Sequence, residues 1–322
     1  MPKVPKNNRW PISRIGYCAA TILSASVIFF VTQARAALTD VPLGNASNYA
    51  VLYDGTGGNN LSISNVTVNG NVGVGGTGQV QFSGPGTING ELDFSAANTG
   101  QFHNTNGGNV GPTSVNFNEL NVTTDLSNLS SLSTTLGALT GNNLAINGVQ
   151  AINESAGALQ TSGGVTYRVF NVTSFSDNNG QILTINGDGS GDPVVFNFPG
   201  SLGNVNLQGA VSLTGGLADD QILWNFDGGS GGTGGVTASL NTNASSNPTL
   251  AWQGILLDPN GPISLTNAIL DGRVFGGDSQ NMQIVSGDTI NAPATSVPEP
   301  GTLALFTSAL AGFGLFRRRK RS

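Results

Sequence analysis

Cysteine is almost missing from this sequence. The only one, Cys18, lies in an N-terminal leader, so the rest of the chain has no thiol, no disulfide and no cysteine metal site. An oxidising compartment would neither help nor harm it. Lysine is missing as well once the ends are set aside. Of 12 Lys and Arg, four (Lys3, Lys6, Arg9, Arg14) are in the leader, Arg35 follows it, and five lie within the last six residues, which leaves Arg168 and Arg273. From Ala37 to Val297, 17 acids face those two arginines, a net charge of −15. Nucleic acid and anionic lipid both need a basic surface, and this segment cannot build one. An acidic, lysine-free surface suits solubility outside the cell.

Groups that do chemistry are equally scarce. His103 is the only histidine, and its setting, Gln101-Phe102-His103-Asn104-Thr105, reads as a polar loop. No serine sits in a Gly-x-Ser-x-Gly elbow. Sugar hydrolysis needs two acids facing a cleft. Glu91 with Asp93 on one strand face, and the adjacent Asp219 and Asp220, are the pairs on offer, and both read more simply as solvated acids. A lyase would need cations to stabilise a carbanion, and two arginines far apart in sequence serve that poorly. Asp188-Gly189-Ser190-Gly191-Asp192 alternates oxygen ligands like part of a calcium loop, but Pro199 stands where the closing acid should be. The segment is read as a turn. No catalytic residue, cofactor or metal is expected.

Apolar runs occur at both ends. After the basic leader, Ile15 to Val31 is apolar or small, and Ala34-Arg35-Ala36 fits a small-x-small cleavage site with the mature start at Ala37. Signal peptidase is the implied partner. At the other end, Val297-Pro298-Glu299-Pro300-Gly301 precedes the uncharged run Thr302 to Phe316 and the block Arg317-Arg318-Arg319-Lys320-Arg321. The two prolines keep the helix from starting before them. A helix over those 15 residues is about 22 Å long at ~1.5 Å per residue, short of the roughly 30 Å hydrocarbon core. Snorkelling arginines and local thinning can close that gap. Five cations should stay cytoplasmic, placing everything before Pro298 outside. This tail resembles the PEP-CTERM sorting signal. The resemblance implies recognition by an exosortase, a membrane-embedded cysteine peptidase of certain Gram-negative bacteria, with cleavage near the Pro-Glu-Pro.

Between the ends the apolar period is two: Leu61, Ile63, Val66, Val68, Val72, Val74, Val80, Phe82, Ile88, Leu92, Phe94. That alternation predicts short strands with one buried face. Thr67-Val68-Asn69-Gly70 and Thr87-Ile88-Asn89-Gly90 match in phase 20 residues apart, the length of one solenoid coil. The predicted fold is therefore all-β, a β-solenoid. The alternative is an antiparallel β-sandwich in which each Asn-Gly makes a hairpin turn. From Phe117 to Leu139 apolar residues recur at helical spacing, so one amphipathic helix is expected at about 117–139, capped by Thr123, Thr124 or Asp125 and stopped by Gly141. Its leucine stripe would cover one face of the sheet. The Gly-rich stretch Asp227 to Gly235 reads as an exposed loop, and the last strand is placed near Met282 to Val285. The motif Thr-apolar-Asn recurs at Thr67, Thr87, Thr184 and Thr289; on a strand, its Thr and Asn point outward together.

The series Leu43-Gly44-Asn45-Ala46 with Tyr49, one Leu/Ser-rich helix, Phe170-Asn171-Val172, Ile222-Leu223-Trp224-Asn225-Phe226, Gly254 to Asn260 and Asp271-Gly272-Arg273-Val274 resembles the choice-of-anchor A domain over roughly Leu43 to Ile290. Such domains are regarded as adhesins. The opening Leu43 to Leu52 is also similar to ice-binding-type β-solenoids, which pair a three-sided coil with one long helix. The expected organisation is a signal peptide over 1–36, an extracellular solenoid over 37–291, a linker over 292–296 and a sorting and anchor segment over 297–322. The expected function is contact outside the cell, with matrix, surface glycan or another cell. The protein would be held transiently in the inner membrane and end at the cell surface or in the matrix. Ice or crystal binding is the alternative, an extracellular carbohydrase the third.

Overall fold

The computed structural model describes residues 40–98, 101–105, 110–227, 238–277 and 281–293. The chain separates into two units, 1–35 and 36–322, and every described residue lies in the second. Ala34, Ala36, Ala37, the Gly-rich stretch 228–235 and the whole sorting segment from Val297 onward lie outside the described residues.

Period-two alternation produces short strands that stack in parallel. Thr67 pairs with Thr87 and Val68 with Ile88, while Leu61 pairs with Val80 and Val72 with Leu92 in the same sense. One turn of chain makes one coil of a three-sided, solenoid-like stack. The first side is a path of ten strands: Asn142–Asn147, Val165–Ser176, Val194–Asn197, Ile222–Asn225, Trp252–Asp258, Ile269–Gly276, Tyr49–Tyr53, Asn71–Val74, Leu92–Ser95 and Val115–Glu119. The second is a separate sheet of seven, Val205–Leu207, Ala238–Leu240, Ile263–Thr266, Met282–Val285, Asn60–Ser64, Gln79–Ser83 and Gln101–Asn104. The third holds Gln150–Asn153, Ile182–Asn186 and Ala210–Thr214, and further along Thr289–Asn291, Thr67–Asn69 and Thr87–Ile88.

The hairpin reading of Asn-Gly does not hold. Asn69-Gly70 and Asn89-Gly90 are corners where the chain turns from the third side to the first. Glycine is needed there because successive corners nest. A Cβ on Gly90 would sit 2.3 Å from the Gly70 carbonyl oxygen, and one on Gly272 would meet the Gly254 carbonyl oxygen. Among the described strands only Ala158–Ser162 runs antiparallel, against Val165–Ser176, around Gly163 and Gly164 at φ 58° and 82°.

Strand order along the first side is not chain order. Tyr49–Tyr53 lies in the middle, and coils build from it to Val115–Glu119 at one end. Helix α1 (Leu120–Gly137) carries the chain back along the sheet, and new coils start at Asn142–Asn147, the opposite end. They build inward until Ile269–Gly276 docks on Tyr49–Tyr53. Eighteen residues make a helix about 27 Å long. Its contacts run from Leu92–Ser95 to Val194–Asn197, six strand spacings, or about 29 Å. Helix and covered sheet match in length. The seam between first and last coils is filled by Thr289–Asn291, which pairs with Ile269–Gly276 on one flank and Thr67–Asn69 on the other. This strand lies beyond Met282–Val285, so the expected last strand was one too early.

The helix also differs from its expected bounds. Val115 to Glu119 is a strand, with Phe117 stacked on Phe94 at 5.6 Å, because alternation there extends the sheet before helical spacing takes over. Glu119 is the N-cap residue, so Thr123, Thr124 and Asp125 lie inside the helix. It ends at Gly137, ahead of Gly141. Val122, Leu129 and Leu136 are buried, whereas Leu120 faces outward.

The side chains beneath the helix explain the repeated aromatic-Asn motifs. Phe170, Phe196 and Trp224 are in register and point into the solenoid, stacked at 5.2 and 4.5 Å. The asparagines between apolar neighbours point the other way, toward the helix. Asn225 donates to the Ser133 carbonyl at 3.0 Å, Asn197 to the Leu136 carbonyl at 2.9 Å and Asn171 to the Gly141 carbonyl at 3.4 Å. The last carbonyls of a helix have no partner within it. Of the three, Leu136 is such a carbonyl and receives Asn197, while Asn225 reaches the turn before it and Asn171 the turn that follows the helix.

Candidate functional site: an uncharged polar face

Among the described residues no helix lies over the seven-strand side. Its inward residues, among them Leu61, Ile63, Val80, Phe82, Met282 and Ile284, are buried. Its outward residues follow from the same alternation. One row runs across all seven strands in register: Asn206, Ser239, Ser264, Gln283, Ser62, Gln81, His103. A second row reads Thr266, Val285, Ser64, Ser83. Neither row holds a carboxylate or a permanent cation, in a segment whose net charge is −15. Six strand spacings make this surface about 29 Å wide. His103 sits at its edge, exposed, with Nε2 3.2 Å from Gln101 Oε1; it is on a strand rather than in a loop.

The Thr-apolar-Asn repeats are partly brought together. Thr289, Thr67 and Thr87 are adjacent on the third side, whereas Thr184 lies on a different sheet between Ala151 and Ser212. The three grouped threonines line a shallow concavity of about 330 Å³ with Pro85 and Asp288. Behind them the asparagines form a ladder. Asn89 donates to Asn69 Oδ1 at 2.7 Å, Asn69 to Asn291 Oδ1 at 2.7 Å, and Asn291 to Asp271 Oδ1 at 2.8 Å. Asn69 and Asn291 each use both oxygen and nitrogen on neighbouring coils, so the ladder binds the seam. Asp288 is buried, and its carboxylate accepts the Ala268 and Val285 amides at 2.6 and 2.7 Å. Burial pushes its carboxyl up to about 7 against the pull of those donors.

Three of the four acids that invited a catalytic reading have structural partners. Asp93 accepts from the Tyr49 hydroxyl at 3.0 Å and from Asn116 at 2.8 Å, and Asn116 also reaches Glu91 at 3.3 Å. Asp220 pairs with the buried Arg273 at 3.1 Å. Burial, with Asp271 and Asp220 adding, pushes Asp219 up to about 6. In the calcium-like loop the cation is Arg168, 3.2 Å from Asp188 and 3.4 Å from Asp192. Burial works against the Asp188 charge, but the Ser190 amide and hydroxyl and Arg168 outweigh it and hold that carboxyl below its usual range. Glu154, fully buried, accepts the Asp188 amide and the Ser190 hydroxyl at 2.9 and 2.7 Å. Among the described residues no cluster of three or more His, Cys, Asp or Glu is placed to hold a metal ion. None of their helices is long and apolar enough to cross a membrane.

Sequence reading singled out the Thr-apolar-Asn residues and passed over the polar rows. The signal was there in Leu61-Ser62-Ile63-Ser64, Val80-Gln81-Phe82-Ser83, Ile263-Ser264-Leu265-Thr266 and Met282-Gln283-Ile284. What joins them is the docking of late coils on early ones, which no local pattern reveals.

A parallel, mostly β stack with one covering helix defines a solenoid-like class of fold. Comparison with known proteins gives the family: the chain belongs to the one described as "Putative Ice-binding-like adhesive domain", matched over residues 33–285. A PEP-CTERM protein-sorting motif matches residues 296–320, which marks an exported, surface-directed protein and implies exosortase processing. No curated protein matches the chain. Among solved structures, an ice-binding protein from the Antarctic ascomycete Antarctomyces psychrotrophicus superposes with a TM-score of 0.51 at 17% identity, covering 80% of this chain and 100% of that one. A glycosylated ice-binding protein from an Arctic yeast gives 0.48 at 17% identity, covering 82% and 98%. At such identities the first likeness speaks for the fold alone.

Proposed function

We propose that this is an adhesive protein of the cell surface or matrix, and that the seven-strand face is its contact surface. The observation that carries the reading is the uncharged row from Asn206 to His103. Amides and hydroxyls in register suit hydrogen bonding to a hydrated polysaccharide. The absence of carboxylates from both rows removes repulsion toward acidic matrix glycans. The adhesive-type family and the acidic, cysteine-free passenger support the same reading. In this proposal Ala34 and Ala36 direct signal peptidase to cut before Ala37. Val297, Pro298, Glu299, Pro300 and Gly301, with Arg317, Arg318, Arg319, Lys320 and Arg321, form the address read by exosortase in the inner membrane.

Ice binding is the second reading, favoured by the column Thr289, Thr67, Thr87 and by the fold likeness to the ice-binding protein of Antarctomyces psychrotrophicus. β-Branched threonine is stiff at χ1 and can hold a fixed array. The broad face, however, depends on Gln81, Gln283 and serines, and glutamine loses much rotamer freedom when pinned. Its rows fit a pliant glycan better than a crystal lattice. Two assays on the exported protein separate the readings. Retention on immobilised matrix polysaccharide, reduced at least tenfold by the double substitution Ser62→Glu and Gln81→Glu, is the expected result. Thermal hysteresis without polysaccharide retention would reject adhesion in favour of ice.

A further inference from the structure

Six large apolar side chains are exposed among the described residues: Val110, Phe117, Leu120, Val149, Leu159 and Ile182. They are grouped, not scattered. Phe117 lies on Val115–Glu119, the strand that ends the ten-strand path, Leu120 follows it, and Val110 bridges to Thr87 at the same end. Val149 follows Asn142–Asn147, the strand at the opposite end, and Leu159 lies on Ala158–Ser162, which flanks the same neighbour, Val165–Ser176. Ile182 is one coil further in. The two ends of the stack are apolar in a molecule whose open side is polar.

Among the described residues those ends are also undefended edges. Proteins blunt exposed strand edges with lysine, other charges or proline. Asn142–Asn147, Gln150–Asn153 and Ala158–Ser162 contain no charged residue and no proline. At the other end, Gln101–Asn104 and Val115–Glu119 contain only His103 and Glu119. Because every pairing along the ten-strand path is parallel, both terminal strands run in one direction. The edge at one end is therefore the edge that the other end would continue.

We propose that the exported protein stacks end to end with further copies of itself, the strand Val115–Glu119 of one copy pairing in parallel with Asn142–Asn147 of the next. Phe117 and Leu120 of one copy then meet the Val149 and Leu159 end of its neighbour. A second copy is the occupant because only this chain's opposite end offers the same strand direction, coil spacing and apolar rim. The contact is head-to-tail, so it does not close on itself and propagates as a filament. The net charge of −15 opposes stacking at low salt. At physiological ionic strength the screening length falls to about 8 Å, which favours it.

The test uses the protein recovered after export, by sedimentation velocity and electron microscopy over a range of concentration and salt. One variant carries Phe117→Lys and Leu120→Lys, a second Val149→Lys and Leu159→Lys. Val149 and Leu159 are exposed, so an unchanged melting curve is expected for the second variant. Phe117 also stacks on Phe94, so the first should melt slightly lower and still fold. The wild type should form linear chains that lengthen with concentration and salt. Each variant alone should stay monomeric, and an equimolar mixture should give dimers and stop there, because each retains one complementary end. A wild type that remains monomeric throughout would overturn the proposal. So would dimers of either variant alone, since those would come from like ends or another surface.

Discussion

At the residue scale the sharpest consequence concerns Asp288. Its carboxyl is pushed up to about 7 in the folded protein, against about 3.9 for an unperturbed Asp. The folded state therefore binds the proton more tightly than the unfolded chain. Its contribution to stability is full below the unfolded value and is lost as pH rises through about 7. Asp219, pushed up to about 6, acts in the same direction. Melting temperature should accordingly rise as pH is lowered from 8 to 5, each proton being worth up to ~1.4 kcal/mol per pH unit. Asp288→Asn should flatten the upper part of that profile. It should also cost about 1–3 kcal/mol at pH 5, because a carboxyl oxygen, which accepts the Ala268 or Val285 amide even when protonated, is replaced by an NH₂ group that cannot accept. A pH profile unchanged by the substitution would assign the effect elsewhere.

At the element scale, helix α1 is held by apolar packing and by the amide donors of two coils, Asn225 and Asn197. Asn225 is fully buried and contacts both the Ser133 hydroxyl and its carbonyl. Asn225→Ala should destabilise the protein by about 1–3 kcal/mol through orphaned partners, and Leu129→Ala by about 2–5 kcal/mol through the cavity it leaves. Urea unfolding with a dye for exposed apolar surface would read both, and dye binding before the main transition would show the helix leaving first. The existence of this helix was legible from leucine spacing. Its start was not, since Phe117 fits the helical spacing as well as the strand, and Phe94 decides between them only in three dimensions. The 20-residue coil was legible between Thr67 and Ile88 for a plain reason: there the coils are equal. Elsewhere the step from Phe170 to Phe196, Trp224, Leu256 and Val274 is 26, 28, 32 and 18 residues, and unequal corners erase the repeat. The asparagines of Phe170-Asn171-Val172 and Trp224-Asn225-Phe226 were visible as motifs, but their purpose appears only with the helix above them.

At the scale of the whole molecule, the two ends of the described segment meet at one residue. The buried Arg273 donates to the Tyr49 carbonyl at 2.7 Å and to the Pro293 carbonyl at 2.9 Å, while pairing with Asp220, whose own carbonyl accepts the Val41 amide at 2.9 Å. Polar faces, covering helix and coil order are all indifferent to this knot until force is applied. A load entering at Pro293 reaches the seam strand Thr289–Asn291, gripped along both flanks, in the interior of the stack. It must slide that strand lengthwise against two neighbours at once, where a terminal coil would peel one bond at a time. Single-molecule pulling from the C-terminal side should give a high first rupture force, clearly lowered by Arg273→Met, while pulling across a terminal coil should give a low one. A tether threaded through the waist of a stack leaves both of its tips free and loads paired strands in shear instead of at an open end.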